Sequence, residues 1–134
     1  MIFVDTGPFV AKYDASDSRH VDAVRGFERI ALEGLRWTTS SFVLCETLNL
    51  LERFAGGKFT VQTGRLLLSS SLTIVEPDPS DRQAALSLLD KYVDQRVGYC
   101  DCVSFAIMRR LRLRDAFAFD RHFEQAGLGL WPNA

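Results

Sequence analysis

Hydrophobic positions along the chain follow two rhythms. Short, largely apolar runs rich in β-branched and aromatic residues predict buried strands at Ile2–Val4, Leu35–Thr38, Leu72–Val75 and Ala116–Phe119. Leu128–Trp131 reads as a final edge strand stopped by Pro132. Between them the apolar residues return at helical spacing. Pro8, after the turn Thr6-Gly7, suits the first helical position of a short helix near Phe9–Tyr13. A longer helix starts after Ser16/Asp17, with Val21, Val24, Phe27 and Ile30/Ala31 as its apolar stripe and Gly34 ending it. Ser40 or Ser41 caps a third helix running to about Ala55, stopped by Gly56-Gly57. Thr60–Ser70 reads as helical, against the resistance of Gly64 and the serine run. Ser80-Asp81-Arg82-Gln83 reads as a capping box opening a helix to about Asp94. Another helix begins at Asp101 or Cys102, and Arg121–Gln125 is a helical turn closed by Gly127. Strands alternating with helices predict a three-layer α/β/α sandwich with a mainly parallel central sheet. The length, 134 residues, fits a single domain, 1–134.

The pattern also places acids where they are costly. Asp5, Glu46, Asp101 and Asp120 each follow directly on an apolar run. An unpaired carboxylate is expensive to bury. Asp5 and Asp120 sit at the carboxyl ends of predicted strands, where ligands bind in open α/β sheets. Each acid has a plain structural role open to it. Asp5 can start the turn at Thr6-Gly7-Pro8, Asp101 can cap its helix, Asp120 can cap the turn at Arg121, and Glu46 can join a buried salt bridge. All four in one pocket would repel one another unless a cation were present. Oxygen ligands with no adjacent histidine favour Mg²⁺ or Mn²⁺ over zinc, and Mg²⁺ typically works with phosphate substrates. Water activated by the cation and attacking a phosphodiester is the direct chemical use, with Asp120 or Asp101 holding or deprotonating that water.

Composition narrows the partners. The net charge is −1, so any nucleic-acid contact must rest on a local patch. Cys45, Cys100 and Cys102 lie in apolar stretches, lack a disulfide framework and read as buried free thiols in a reducing cytoplasm. Without a second cysteine pair, Cys100-Asp101-Cys102 does not make a zinc site. The amino-terminal run has no basic flank of the kind that marks a signal peptide, and no uncharged run approaches the roughly 20 residues needed to cross a bilayer. Arg109, Arg110, Arg112 and Arg114 form the densest basic cluster, read first as a solvated helix end that complements the dipole. Arg96, Lys12 and Lys58 are further candidates to guide a phosphate backbone, and His20 and His122 read as surface histidines.

The segments carrying these acids resemble the PIN-domain family, and within it the VapC-like toxins. The resemblance spans nearly the whole chain. It rests on Ile2-Phe3-Val4-Asp5-Thr6, Thr39-Ser40-Ser41-Phe42-Val43-Leu44-Cys45-Glu46, Tyr99-Cys100-Asp101-Cys102-Val103-Ser104-Phe105-Ala106 and Ala118-Phe119-Asp120-Arg121-His122-Phe123. It implies a Mg²⁺- or Mn²⁺-dependent endoribonuclease, the toxin of a toxin–antitoxin pair. Asp5, Glu46, Asp101 and Asp120 would then be both the catalytic and the metal-binding residues. It also implies an RNA substrate, a small cognate antitoxin and a homodimer, with no membrane association. Two hydroxyls common in the family are replaced, by Ala118 and Gly98, leaving Thr6 as the hydroxyl beside an acid. The alternatives are a PIN-type nuclease of RNA maturation without an antitoxin, and a catalytically silent interaction module. A haloacid-dehalogenase-like phosphatase would need a second acid where Gly7 stands. The apolar surface of Leu44, Leu48, Leu51 and Phe54, and of Leu66 to Leu68, exceeds what a small sheet needs and suits a dimer face or an antitoxin groove.

Overall fold

The computed structural model of the protein describes residues 1–132. Its elements run β1 (Ile2–Val4), α1 (Thr6–Tyr13), α2 (His20–Leu32), β2 (Trp37–Ser40), α3 (Ser41–Ser69), β3 (Thr73–Val75), α4 (Pro79–Lys91), α5 (Tyr99–Arg110), β4 (Asp115–Phe117), α6 (His122–Gln125) and β5 (Gly129–Leu130). The strands form one sheet in the order β3-β2-β1-β4-β5, and every neighbouring pair is parallel. Phe3 is paired with Thr38 on one side and Ala116 on the other, so β1 is the central strand. It is fully buried, as its unbroken apolar run predicts. The chain builds outward from β1 to β3, then returns to lay β4 on the other side of β1. The crevice between the carboxyl ends of β1 and β4 is therefore the topological switch point.

Several boundaries differ from the sequence expectation. Helix α1 starts at Thr6, with Asp5 at its N-cap position, so Pro8 is the third helical residue rather than the first. The first four helical N–H groups have no intrahelical partner, and a proline there costs no bond. Strand β2 lies later than Leu35–Thr38 because its polar residues find partners. Thr38 Oγ1 donates to the Thr73 carbonyl at 2.8 Å, Thr39 Oγ1 donates to the Val4 carbonyl at 2.7 Å, and the Val43 N–H donates to Ser40 Oγ at 3.1 Å. Ser40 is thus the N-cap of α3. The glycines expected to end this helix break it instead, with Gly56 at φ 83° between two helical stretches. The capping box of α4 is formed by Asp78 and Asp81, two residues before the expected start, and the helix ends at Lys91 rather than near Asp94. Asp81 is also gripped by the Arg110 guanidinium, Nη2 to Oδ2 at 2.8 Å, which ties α4 to α5.

The core is aromatic. Phe3, Phe9, Phe105, Phe117 and Phe123 are completely or almost completely buried, and Phe27 meets Phe117 edge-to-face with ring centroids 5.2 Å apart. The inward face of α2 is Ala23, Gly26, Phe27 and Ile30, while Val21, expected in the stripe, is exposed. Gly26 is a packing requirement, since a Cβ there would stand 2.2 Å from Phe117 Cζ. The cysteines are only partly as expected: Cys102 is buried, Cys100 half-buried and Cys45 exposed.

Candidate active site

Four segments far apart in sequence deliver the four acids to one pocket of about 470 Å³, lined by Asp5, Glu46, Asp101 and Asp120 with Thr6 and Cys100 among them. Asp5 leaves β1 and is held there by its own N–H, which donates to the Phe117 carbonyl of β4 at 3.0 Å. Asp120 follows β4 by three residues, since that strand ends at Phe117 and not at Phe119. Its Oδ1 accepts the His122 N–H at 2.9 Å, an Asx-type turn that fixes the carboxylate. Asp101 lies in the first turn of α5, with Gly98 rather than itself at the N-cap position. Glu46 lies in the second turn of α3. It is exposed, contrary to the buried salt bridge open to it from the sequence, because this stretch of the helix turns its outer face to the pocket mouth.

The carboxylates strain against one another. Asp5 is pushed up to about 8, first by burial and then by the charge of Asp101, with Glu46 and Asp120 adding to it; the Thr6 N–H opposes them. Asp101 is pushed up to about 6 by burial and by the charges of Asp120 and Glu46, partly offset by His122. The same surroundings push the Cys100 thiol to about 12, burial first and Glu46 next, so in the absence of an ion it stays protonated and weakly nucleophilic. The four acids offer oxygen donors, which hard divalent cations prefer. Thr6 Oγ1 is buried and has no hydrogen-bond partner, although its residue lines the pocket. A buried hydroxyl without a partner, beside carboxylates that repel one another, suits a cation and the water it carries. The residues present fit a divalent metal ion.

His122 departs from its reading as a surface histidine. Its Nδ1 lies 2.9 Å from Asp120 Oδ1, and its side chain is 24% exposed. Asp101, Asp120 and His122 place ligand atoms within 4.8 Å of one another. The signal available in the sequence was the two-residue spacing from Asp120, which lets the ring fold back on the carboxylate. Three of the expected basic candidates are engaged away from the acids. Arg110 is taken up by Asp81, and Arg109 donates to the Ala126 carbonyl at 3.0 Å. Lys12 is half-buried, with Nζ 4.9 Å from the Phe27 ring centre. It lines a separate, larger cavity of about 710 Å³ with Arg36 and Trp37. That cavity has no acid in its lining and offers no comparable chemistry.

Comparison with known proteins identifies the family and the fold. The PIN domain family model matches residues 2–128. The 23S rRNA-specific endonuclease VapC20 of Mycobacterium tuberculosis is 33% identical over 127 residues, covering 95% of each chain. The crystal structure of that protein, described as a sarcin–ricin loop-cleaving toxin, superposes with a TM-score of 0.84 at 30% identity over 96% of both chains. VapBC2 from Rickettsia felis, bound to a DNA fragment from its promoter, shares the fold, with a TM-score of 0.73 at 16% identity over 97% of both chains.

Proposed function

The chain belongs to the PIN-domain family, and from that premise we propose that it is a divalent-cation-dependent endoribonuclease acting as the toxin of a toxin–antitoxin pair. The observation that carries this reading is the meeting of Asp5, Glu46, Asp101 and Asp120 in one pocket at the switch point of the sheet. Asp5, Asp101, Asp120 and Glu46 would hold the ion, Mg²⁺ or Mn²⁺. When bound, the ion neutralises charge on the phosphodiester and makes water acidic enough to attack it near neutral pH.

The remaining work falls to the chain. Asp5, whose N–H is tied to β4 and whose carbonyl side opens α1, sets the floor of the pocket. Asp120, held by the His122 ring and N–H, faces Asp101 and orients water between them. Glu46 closes the mouth from α3. Ribosomal RNA is the favoured substrate because the relative that shares a third of the sequence is named for 23S rRNA. A small antitoxin is the favoured protein partner, since a neighbour in fold from Klebsiella pneumoniae is described as a toxin–antitoxin complex. A homodimer is supported by exposed Phe54, Val61, Leu66 and Leu68 along α3. No helix among the described residues is long and apolar enough to cross a membrane. Action on ribosomal RNA would take place in the cytoplasm, the compartment this reading favours. We take 1–134 as one domain, because the buried side chains form one connected core.

Cleavage of RNA by the wild type in Mn²⁺, set against Asp5→Asn and Asp101→Asn, is the test. Each substitution keeps the side-chain volume and is expected to lower the rate by at least about a thousandfold, in line with loss of a metal ligand and its orienting charge. Excess EDTA is expected to silence the wild type. Full cleavage by either variant, or by wild type in EDTA, defeats the reading and favours a silent interaction module.

A further inference from the structure

We propose that a groove running from the acidic pocket along α2 carries a single-stranded stretch of the RNA substrate beside the bond that is cut, an inference that rests on the nuclease reading above. The groove, about 390 Å³, is lined by Arg19, Arg25 and Arg29 on one side and by Phe119 and Trp131 on the other, with Asp22 among the arginines. Phe119 also lines the acidic pocket, so the groove and the pocket are neighbours that meet at this ring.

The charge pattern selects the occupant. Four carboxylates crowd the pocket and the whole chain is at −1, so an RNA backbone needs a cationic path that begins next to them. Asp22, Arg25 and Arg29 recur at three- and four-residue spacing and share one face of α2. All three arginines are exposed. Two already have acidic neighbours: Arg19 pairs with Asp22 at 3.0 Å and Arg29 pairs with Glu33. Exposed pairs of this kind are weak, so a phosphate can displace either carboxylate. Arg25 has no ion-pair partner within salt-bridge distance among the described residues.

The aromatic pattern selects single strands. The Arg19 guanidinium lies 4.0 Å from the Phe119 ring centre, and that of Arg29 lies 5.6 Å from the Trp131 ring centre. Rings and guanidinium planes are the surfaces on which unpaired bases stack, and a duplex presents no free base face to them. A groove built only for an acidic peptide would not need two such stacks beside a phosphodiester-cutting pocket.

The experiment is steady-state cleavage of a fluorogenic, mixed-sequence single-stranded oligoribonucleotide in Mn²⁺ across a salt series. It compares wild type, Arg25→Ala/Arg29→Ala, and Arg65→Ala/Lys91→Ala as a charge-matched control on other surfaces. The groove pair is expected to raise KM about tenfold with kcat unchanged. It should also make the salt slope of log kcat/KM shallower by about 0.7 for each phosphate that an arginine no longer neutralises. In a Trp37→Phe background, which leaves Trp131 as the only tryptophan, the same oligonucleotide is expected to quench its fluorescence. A wild type that cleaves while the groove pair matches the control in KM and slope overturns the groove alone, including the case in which the groove serves a protein partner. A wild type that cleaves no RNA in Mn²⁺ fails the nuclease reading and the groove with it.

Discussion

Asp5 concentrates the tension of the site. In the metal-free folded protein its carboxyl holds a proton up to about pH 8, whereas its ordinary value is 3.8. Between those values the folded state binds more protons than the unfolded chain, so stability is greatest below about 4 and is lost as pH rises towards 8. Asp101, raised to about 6, acts in the same direction over the lower part of that window. Metal-free stability is therefore expected to fall from pH 5 to pH 8 by on the order of a few kcal/mol, and the melting temperature with it. Mn²⁺ should raise it more at pH 8 than at pH 5. A metal-free melting temperature that stays level or climbs over this range contradicts the electrostatic picture. Thr6 provides a second handle. Its buried Oγ1 has no partner, so Thr6→Val should leave metal-free stability equal or improved, because an unsatisfied buried hydroxyl is removed. If that hydroxyl supports the ion or its water, Mn²⁺ affinity drops about tenfold, which isothermal titration would register.

Among the elements, the contact of α2 with β4 is tight enough to test by a single methyl group. At Gly26 a new Cβ would meet the Phe117 ring at 2.2 Å, and that ring is buried and packed edge-on against Phe27 and Trp131. Gly26→Ala is expected to cost roughly 3 kcal/mol, at the upper end of overpacking effects. Urea denaturation would read this directly, and a cost near zero would mean that the ring swings aside easily. The same contact sets the distance between the α2 arginines and Phe119, so a partial shift should also alter the groove before it unfolds the domain. On the other side of the molecule, the Asp78–Asp81 capping box and the Arg110 guanidinium lock α4 to α5. That lock supports α5, whose first turn carries Asp101.

For the whole molecule, the switch-point topology brings the acids together before any ion arrives. Such a preformed site binds only in the folded state, so the ion must stabilise it. At a hundredfold excess over its dissociation constant, Mn²⁺ should add about 2.7 kcal/mol, or roughly 10 °C in melting temperature for a chain of this size. Thermal denaturation followed against Mn²⁺ concentration checks this, and Asp101→Asn should blunt the response. Much of the architecture was legible beforehand. The run Ile2-Phe3-Val4 ends at an acid, and an apolar run of that length is a central parallel strand whose end faces ligands. Less legible were the edges of elements. Three of the four residues of strand β2 carry hydroxyls, and only its bonds to β1 and β3 reveal it as buried structure. The helical stretch after Gly56 is exposed for much of its length and carries a weak apolar pattern.

The order and spacing of apolar runs determined the alternation of strand and helix, the parallel sheet and the identity of the four acids, because burial and backbone hydrogen bonding are properties of local composition. Which cations serve the site was decided only in three dimensions. Within the dense arginine run near residue 110, Arg110 is spent on a buried carboxylate and Arg109 on the Ala126 carbonyl, while two of the sparser arginines around α2 meet aromatic rings that follow β4 and β5. Thr6 likewise acquires its surroundings from distant segments, and His122, whose contact with Asp120 is local, gains Asp101 as a neighbour only through the fold. A charge has a sign in the sequence, but its partner and its dielectric surroundings exist only once the chain has closed on itself.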